Sequence, residues 1–297
     1  MAGIRLEFAQ FGHFTSFDVI RSMVSMASVA DEDLPTPIAT GLKTMYYVDS
    51  SVVEGFTYYY KVRVWRGTTS FVSSEVSVLA VLPDPNWHLT TLLLNANALP
   101  FVNSAFINNV VTNYGVTLSP ESKFGSGCLQ FGSGYLTAPA SIYSGIGVGD
   151  FCMTAWVYPT QYPGGSVDND MFILGSFNNN PNFSIFLTSG SGSLAFWDGT
   201  TQHTVPTNYK CPLNQWSFVE IGRVNGVLRM FVNGVLAHTA NNSSKYYSNN
   251  SPANIGGNGS NNRLFKGRID DLRFYKGWGG KTIDHAVPSR ESANFVW

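Results

Sequence analysis

The chain has 297 residues, of which 44% are hydrophobic, 14% aromatic and only 12% charged, and its 18 basic and 19 acidic side chains leave a net charge of −1. That is material for two buried cores, while the charged share is about half the usual ~25%; nucleic acid and anionic membrane are disfavoured as partners, because both need a concentrated basic face. Asn, Ser, Thr, Gly and Tyr must keep the surface wet, and a neutral coat of hydrogen-bonding groups suits sugar recognition or burial in a large assembly.

The opening MAGIRLEFAQ carries neither the basic segment nor the apolar stretch of a secretory leader. No run approaches the roughly 18 apolar residues of a membrane span, so synthesis and assembly in a cytoplasm, without membrane insertion, are expected. In TYYYKVRVW, Tyr58, Tyr60, Val62 and Val64 alternate with Tyr59, Lys61, Arg63 and Trp65, the period of a half-buried strand. A turn at 67–70 leads into FVSSEVSVLAV, read as one further strand, and then VLPDPNW breaks the pattern with Pro83 and Pro85. This places a boundary there: a module over 1–82, a Pro-rich linker at 83–86, a larger domain over 87–277 and a tail over 278–297.

The larger domain reads as strands throughout: SGCLQFG, DFCMTAWVY, MFILGSF, FSIFLTS and RIDDLRFYKG. Between Trp216 and Ala240, Asn225-Gly226 and Asn233-Gly234 separate three apolar runs, and Asn-Gly is the strongest two-residue hairpin signal because both central residues of a type I′ turn need positive φ. A three-stranded meander follows, and Asp198-Gly199 predicts another hairpin. No segment here sustains a helical period, so the expected class is all-β, an antiparallel sandwich or jelly roll. Asn-rich loops at 178–182 and 241–263 are the natural places for a binding site. The tail WGGKTIDHAVPSRESANFVW has no clear period, yet Phe295, Val296 and Trp297 would be costly to leave in water; Phe295 and Trp297 are expected to dock on the domain itself or on a partner subunit.

Cys128, Cys152 and Cys211 are an odd set without CxxC spacing, which argues for reduced, buried thiols over a disulfide framework or zinc site. Catalytic patterns are missing. Glycoside hydrolysis needs two carboxylates flanking the bond, but Glu220 stands alone on its strand, Asp168 and Asp170 lie in a Gly-rich loop, and the neighbours Asp270 and Asp271 should point to opposite faces of theirs. No histidine lies near a nucleophile elbow. Sugar binding by an aromatic ring flanked by amides and hydroxyls remains. The candidates are Trp197 beside Asp198-Gly199, Tyr246 and Tyr247 in the Asn-rich loop, and Trp156, which lies either on the open sheet face or beneath a covering loop.

Two resemblances sharpen these expectations. LPTPIATG at 34–41, YVDSSVVEGFTYYYKVRV at 47–64 and SSEVSV at 73–78 resemble fibronectin-type-III modules, in particular those of phage tail and other virion proteins; the run from Asp49 to Val62 carries the match. The module is short for that family, and an incomplete sandwich would expose an edge that a partner should cover. DPNWHLTTLLLNAN at 84–97, SKFGSGCLQFGSGYLTAP at 122–139, GDFCMTAWVYP at 149–159, LNQWSFVEIGRVNGVLRMFVNGV at 213–235 and GRIDDLRFYKG at 267–277 resemble laminin-G-like (LamG) domains of the concanavalin-A-like superfamily, again with relatives among phage structural proteins. Together they imply a fibronectin-III-like β-sandwich followed by a concanavalin-A-like jelly roll, in a non-enzymatic virion protein. A tail fibre, tip or baseplate accessory is the first expectation. A capsid decoration or head-fibre protein is the second, and a carbohydrate-binding accessory module of a bacterial surface protein the third. The implied partners are other virion proteins, copies of the chain itself as a homo-oligomer, a trimer in fibre-like settings, and host-surface glycans. Relatives often hold a structural calcium between a His-x-Asp pair and an acid of the Ile-Asp-Asp motif; here Asn95 and Asn97 stand at the first positions and only Asp270 and Asp271 remain, which should weaken any Ca2+ site.

Overall fold

The computed structural model describes residues 4–10, 12–53, 55–80, 84–105, 109–162, 164, 170–176, 183–245, 251–257 and 263–289. The chain divides into two compact units, Met1–Asp84 and Pro85–Trp297. No helix among the described residues is long and apolar enough to cross a membrane.

Among the described residues, the first unit contains seven strands: β1 Ile4–Glu7, β2 Ser16–Ser22, β3 Ala39–Leu42, β4 Tyr46–Asp49, β5 Thr57–Arg66, β6 Thr69–Val72 and β7 Val76–Leu79. β1 pairs with β4, and β3-β2-β5-β6 form a second sheet in which β7 also pairs with β5. The alternation of β5 buries Tyr58 and Tyr60 in a small core with Ile4, Val19 and Ala80. The carboxylate of buried Asp49, at the end of β4, accepts bonds from Arg21 Nη1 at 2.8 Å, Tyr60 Oη at 2.9 Å and both Ser51 N and Oγ. Burial pushes its pKa upward, but these bonds win and hold it below the ordinary carboxylate value. Asp49 thereby ties β4 to β2 and β5. The single strand expected over FVSSEVSVLAV is two, because Ser73 breaks it: its hydroxyl takes the Val62 N–H at 3.0 Å, replacing a ladder acceptor.

The second unit is built from β8 Thr90–Leu94, β9 Thr112–Tyr114, β10 Thr117–Ser119, β11 Cys128–Phe131, β12 Tyr135–Ala138, β13 Phe151–Pro159, β14 Met171–Gly175 and β15 Ser184–Leu187. It continues through β16 Leu194–Trp197, β17 Gln202–Thr204, β18 Ser217–Val224, β19 Val227–Val232, β20 Val235–Asn241, β21 Ala253–Ile255 and β22 Gly267–Lys276. One antiparallel sheet runs β10-β11-β22-β13-β18-β19-β20, with β8 also on β22, and the other runs β17-β16-β15-β14-β21-β12-β9. Alternate residues of both sheets meet in one core, among them Phe151, Met153, Ala155 and Val157 of β13 and Leu194 and Phe196 of β16. The fold is all-β, as the strand pattern predicts.

The β18–β20 meander forms with the expected turns: φ is +50° and +74° at Asn225 and Gly226, and +51° and +79° at Asn233 and Gly234. The β16–β17 hairpin differs. Only Gly199 has positive φ, at +94°, and the four-residue turn is closed by the Asp198 carboxylate, which accepts the N–H groups of Thr200 and Thr201 at 2.9 and 2.7 Å. In β22 the pairing with β13 shifts between Thr154 and Trp156, and Asp271 takes φ +47°. This bulge inserts one residue between core-facing Ile269 and Leu272, so Asp270 and Asp271 are both held off the core face; strict alternation, which put them on opposite faces, fails here.

Beyond β22, the segment 278–289 lies back over the outer face of the larger sheet. Gly222 and Gly234 make room for it: a Cβ at either would sit 2.0 Å from the carbonyl oxygen of Gly279 or His285. The His285 N–H bonds Gly234 O at 2.9 Å and the Leu236 N–H bonds Asp284 Oδ1 at 2.8 Å. The first part of the tail therefore docks on its own domain, while Phe295 and Trp297 lie outside the described residues.

Candidate functional site

The outer face of the smaller sheet holds the best-formed candidate. Because Leu136, Ile255, Leu174, Ile185 and Phe196 face the core, their alternating neighbours face away, and the register aligns these in one row: Thr112, Thr137, Asn254, Gly175, Ser184, Trp197 and Gln202. The row carries no charge. Ser184 and Asn254 at its centre are 6% and 8% exposed, whereas Trp197 is half-buried and Gln202 exposed at one end. Ser184 and Asn254 are closed to solvent together with Phe172, Phe186 and Ala195 of the same outer face, so the row is open only at its ends, at Trp197 and Gln202 on one side and at Thr112 and Thr137 on the other.

A polar network fixes the Trp197 end. Asp198 Oδ2 lies 3.3 Å from His203 Nε2, 3.0 Å from Asn242 Nδ2 and 3.3 Å from Ser244 Oγ. Burial raises the Asp198 pKa, but the bonds from Thr201, Thr200 and His203 outweigh it and hold the carboxyl below its ordinary 3.8. Asn242 Oδ1 in turn accepts from Arg223, whose fully buried guanidinium also donates to the carbonyls of Gly147, Gly149 and Ser244 and lies over the Phe151 ring. The His203 and His238 rings are 5.7 Å apart where β17 nears β20; burial, then His203, lowers the His238 pKa. Thus the turn beside Trp197 is bolted to the start of the Asn-rich loop. Tyr246 and Tyr247, two and three residues past Ser244, lie outside the described residues.

Trp156 is placed differently. It is 4% exposed beneath a covering loop, with Phe124 edge-on at 5.8 Å, Phe218 at 5.4 Å and Lys123 Nζ 4.1 Å from its ring centre, so no face of it meets solvent. That loop is pinned by Asp270: Oδ2 accepts the N–H groups of Lys123 and Phe124 at 2.9 and 3.1 Å, and Oδ1 accepts that of Asp271 at 2.8 Å. Burial pushes the Asp270 pKa up to about 7 against these bonds. Asp271 pairs with Arg273 at 3.6 Å, and Asn97 Oδ1 accepts the Ser126 N–H at 2.8 Å. A calcium shell needs several oxygens turned toward one point; the Asp270 and Asn97 oxygens are aimed at N–H donors instead, and these residues do not fit the ion. Among the described residues, no group of three or more His, Cys, Asp or Glu could hold a metal.

Glu220 is buried under the C-terminal segment, where it accepts the Lys281 N–H at 2.7 Å and sits 3.4 Å from His285 Nε2. Burial raises its pKa against the pull of Lys281 and His285. Asp170 is spent on the Ser189 N–H at 2.7 Å, and Asp168 lies outside the described residues. Cys128, Cys152 and Cys211 are buried and form no disulfide, and burial pushes the Cys128 and Cys211 thiols up to about 12. Reasoning from sequence missed Thr137, Ser184 and Asn254, each an ordinary polar residue at an alternating strand position; only the register puts them in line with Trp197.

Two antiparallel sheets packed face to face around one core, the larger carrying both Asn-Gly hairpins, define a jelly roll of the lectin type. The chain belongs to the concanavalin A-like lectin/glucanases superfamily, whose family model matches residues 130–278, half of the chain. No curated protein matches the sequence. Similar solved structures include the botulinum neurotoxin serotype D binding domain, at 14% identity and TM-score 0.50 over 66% of this chain and 50% of that one. The binding domain of Paraclostridial Mosquitocidal Protein 1 matches at 14% identity and TM-score 0.50 over 65% and 50%. Domain 4 of AbnA, a GH43 extracellular arabinanase from Geobacillus stearothermophilus solved with arabinotriose, matches at 21% identity and TM-score 0.49 over 64% and 94%. The chain spans about half the length of the two toxin binding domains, and at these identities the likeness concerns the fold.

Proposed function

We propose that this chain is a non-enzymatic, glycan-binding virion protein of a tailed bacteriophage, tail-associated, whose jelly roll reads uncharged sugars with Trp197 as the stacking ring. The carrying observation is the half-buried ring of Trp197 paired with exposed Gln202 at the open end of a row without charge. A pyranose offers an apolar face to a ring and hydroxyls to amides around it; Tyr246 and Tyr247 are assigned the same binding role from the sequence. The described carboxylates point the same way, since Asp170, Asp198, Glu220 and Asp270 are committed to internal bonds rather than paired across an open site. Single-site affinity would be about millimolar, near −4 kcal/mol. Copies in a homo-oligomer, a trimer by the resemblance, would multiply it through effective concentration.

The first unit serves in this reading as the fibronectin-III-like attachment module. It exposes Phe56, Phe71, Val76 and Leu79 at 48%, 56%, 56% and 48%, more apolar surface than a free-standing module needs, which contact with other virion proteins would cover. Phe295 and Trp297 are assigned to assembly on the same grounds. A glycan array at high valency tests the binding claim: signal lost in Trp197→Ala supports it, and silence of the native chain against every sugar refutes it. Polysaccharide cleavage abolished by Glu220→Gln would refute the non-enzymatic role. Immunogold labelling of particles decides location: gold on tails supports the assignment, gold on heads favours a capsid decoration protein, and its absence from particles returns the chain to a bacterial surface.

A further inference from the structure

Among the described residues, the first unit is a sandwich with one strand position empty. In β5, Tyr58, Tyr60, Val62 and Val64 alternate onto the face that carries the core. The register sets Phe71 of β6 beside Val64 and Val76 of β7 beside Tyr60, on that same face. Side chains so placed belong inside, yet Phe71 and Val76 are each 56% exposed and Val62 and Val64 only half-buried. The facing sheet is the cause, because it has two strands, β1 and β4, against five. Asp49 fastens β4 above β2 through Arg21 at 2.8 Å, and β1 comes next. Beyond β1 lies a groove of about 190 Å3, lined by Phe8, Gln10, Phe17, Val62, Val64 and Phe71 and by no charged side chain. A cavity of roughly 150 Å3 already admits benzene, so this one takes a large apolar side chain. The rim is a bare strand edge. The Phe8 N–H bonds Met45 O at 3.0 Å on the β4 side, so the backbone groups of Ile4, Leu6 and Phe8 point toward β4 and those of Arg5 and Glu7 point away from it. Among the described residues, these outward N–H and C=O groups have no strand to bond.

We infer that this groove accepts an extended segment of a partner polypeptide, laid along the free edge of β1 as the missing strand, with uncharged apolar side chains at alternate positions and a large one over Phe17. The main-chain groups of the edge supply the hold, and the groove supplies the selectivity. A second copy of β1 does not fit the place. Set beside the first, it brings its own five-stranded sheet into the space of β6 and β7; turned over, it points Arg5 and Glu7 into a groove without charge. The inference goes beyond the attachment role proposed for this unit, since it rests on the geometry of the unit alone. Gold absent from particles would remove the virion and leave the strand site standing.

The probe is the full chain with a strand of about nine residues tethered ahead of Met1 by a flexible Gly-Ser linker, which sets an effective concentration on the order of millimolar. In one version Val and Thr alternate around a central Phe; in a second Asp replaces that Phe, and in a third the same residues are scrambled. The first strand should raise the melting temperature of the first unit by about 5 °C and slow hydrogen exchange at the Arg5 and Glu7 amides about tenfold, while the other two do neither. Glu7→Pro removes one outward N–H and leaves the pairing with β4 intact, so it should cancel most of the gain without lowering the melting temperature of the untethered chain. Phe71→Lys, at an exposed position, should cancel the gain by placing a charge in the groove. Equal gains from all three strands, or an undiminished gain in Glu7→Pro, would show apolar cover in place of strand pairing and overturn the inference. No gain from the first strand in a folded chain would overturn it as well. An untethered chain that dimerises in sedimentation, with its Arg5 and Glu7 amides protected, would overturn the foreign segment in favour of a second copy.

Discussion

Asp198 shows how much one side chain decides. Its carboxylate closes the β16–β17 turn through Oδ1 and reaches the start of the Asn-rich loop through Oδ2. Replacing it with alanine leaves buried donors unpaired, and roughly 1–3 kcal/mol of stability should be lost; urea unfolding would measure this, and glycan binding at Trp197 should fall with it. The folded pKa lies below the ordinary 3.8, so this contribution is complete above that value and is lost as pH falls through and below it. In thermal melts the native chain should therefore lose more stability on acidification below about pH 4 than Asp198→Asn, which has no proton to bind there; parallel acid slopes would show that the carboxylate does not matter. Gly222 makes a converse case. A methyl there would meet the Gly279 carbonyl at 2.0 Å, backbone against backbone, so Gly222→Ala should cost about 1–3 kcal/mol and leave segment 278–289 open to protease.

Among the elements, the β22 bulge and the loop over Trp156 are joined through Asp270. Asp270 receives three backbone N–H groups, a coordination that an ion would have to displace. Adding calcium or a chelator should leave the melting temperature unchanged, and a rise with calcium would mean that Asp270 and Asp271 turn to hold it. The elements also show where reading the chain by eye succeeds. Asn225-Gly226 and Asn233-Gly234 announce their hairpins because positive φ is a local demand that few residues meet. Asp270 and Asp271 mislead, since the bulge that brings both off the core face arises from pairing with β13, more than a hundred residues earlier.

For the molecule as a whole, the two units should differ in stability. Among the described residues, the first buries eight apolar side chains, whereas the second has a core running through both of its sheets; domains of some 80 residues are marginal for want of buried surface. Calorimetry should show a transition of the first unit below that of residues 85–297, and the isolated 85–297 segment should keep the upper transition and the Trp197-dependent binding. A single transition that shifts downward on removal of the first unit would contradict this. The all-β class, the meander and the strand faces were legible from the chain alone, because side-chain period and turn residues are properties of near neighbours. The line of Thr137, Asn254, Ser184 and Trp197, the burial of Trp156 and the docking of 278–289 were decided only in three dimensions. Each depends on which distant strands pair and in what register, and a period-2 pattern states which face a residue occupies without naming the residue that will lie beside it.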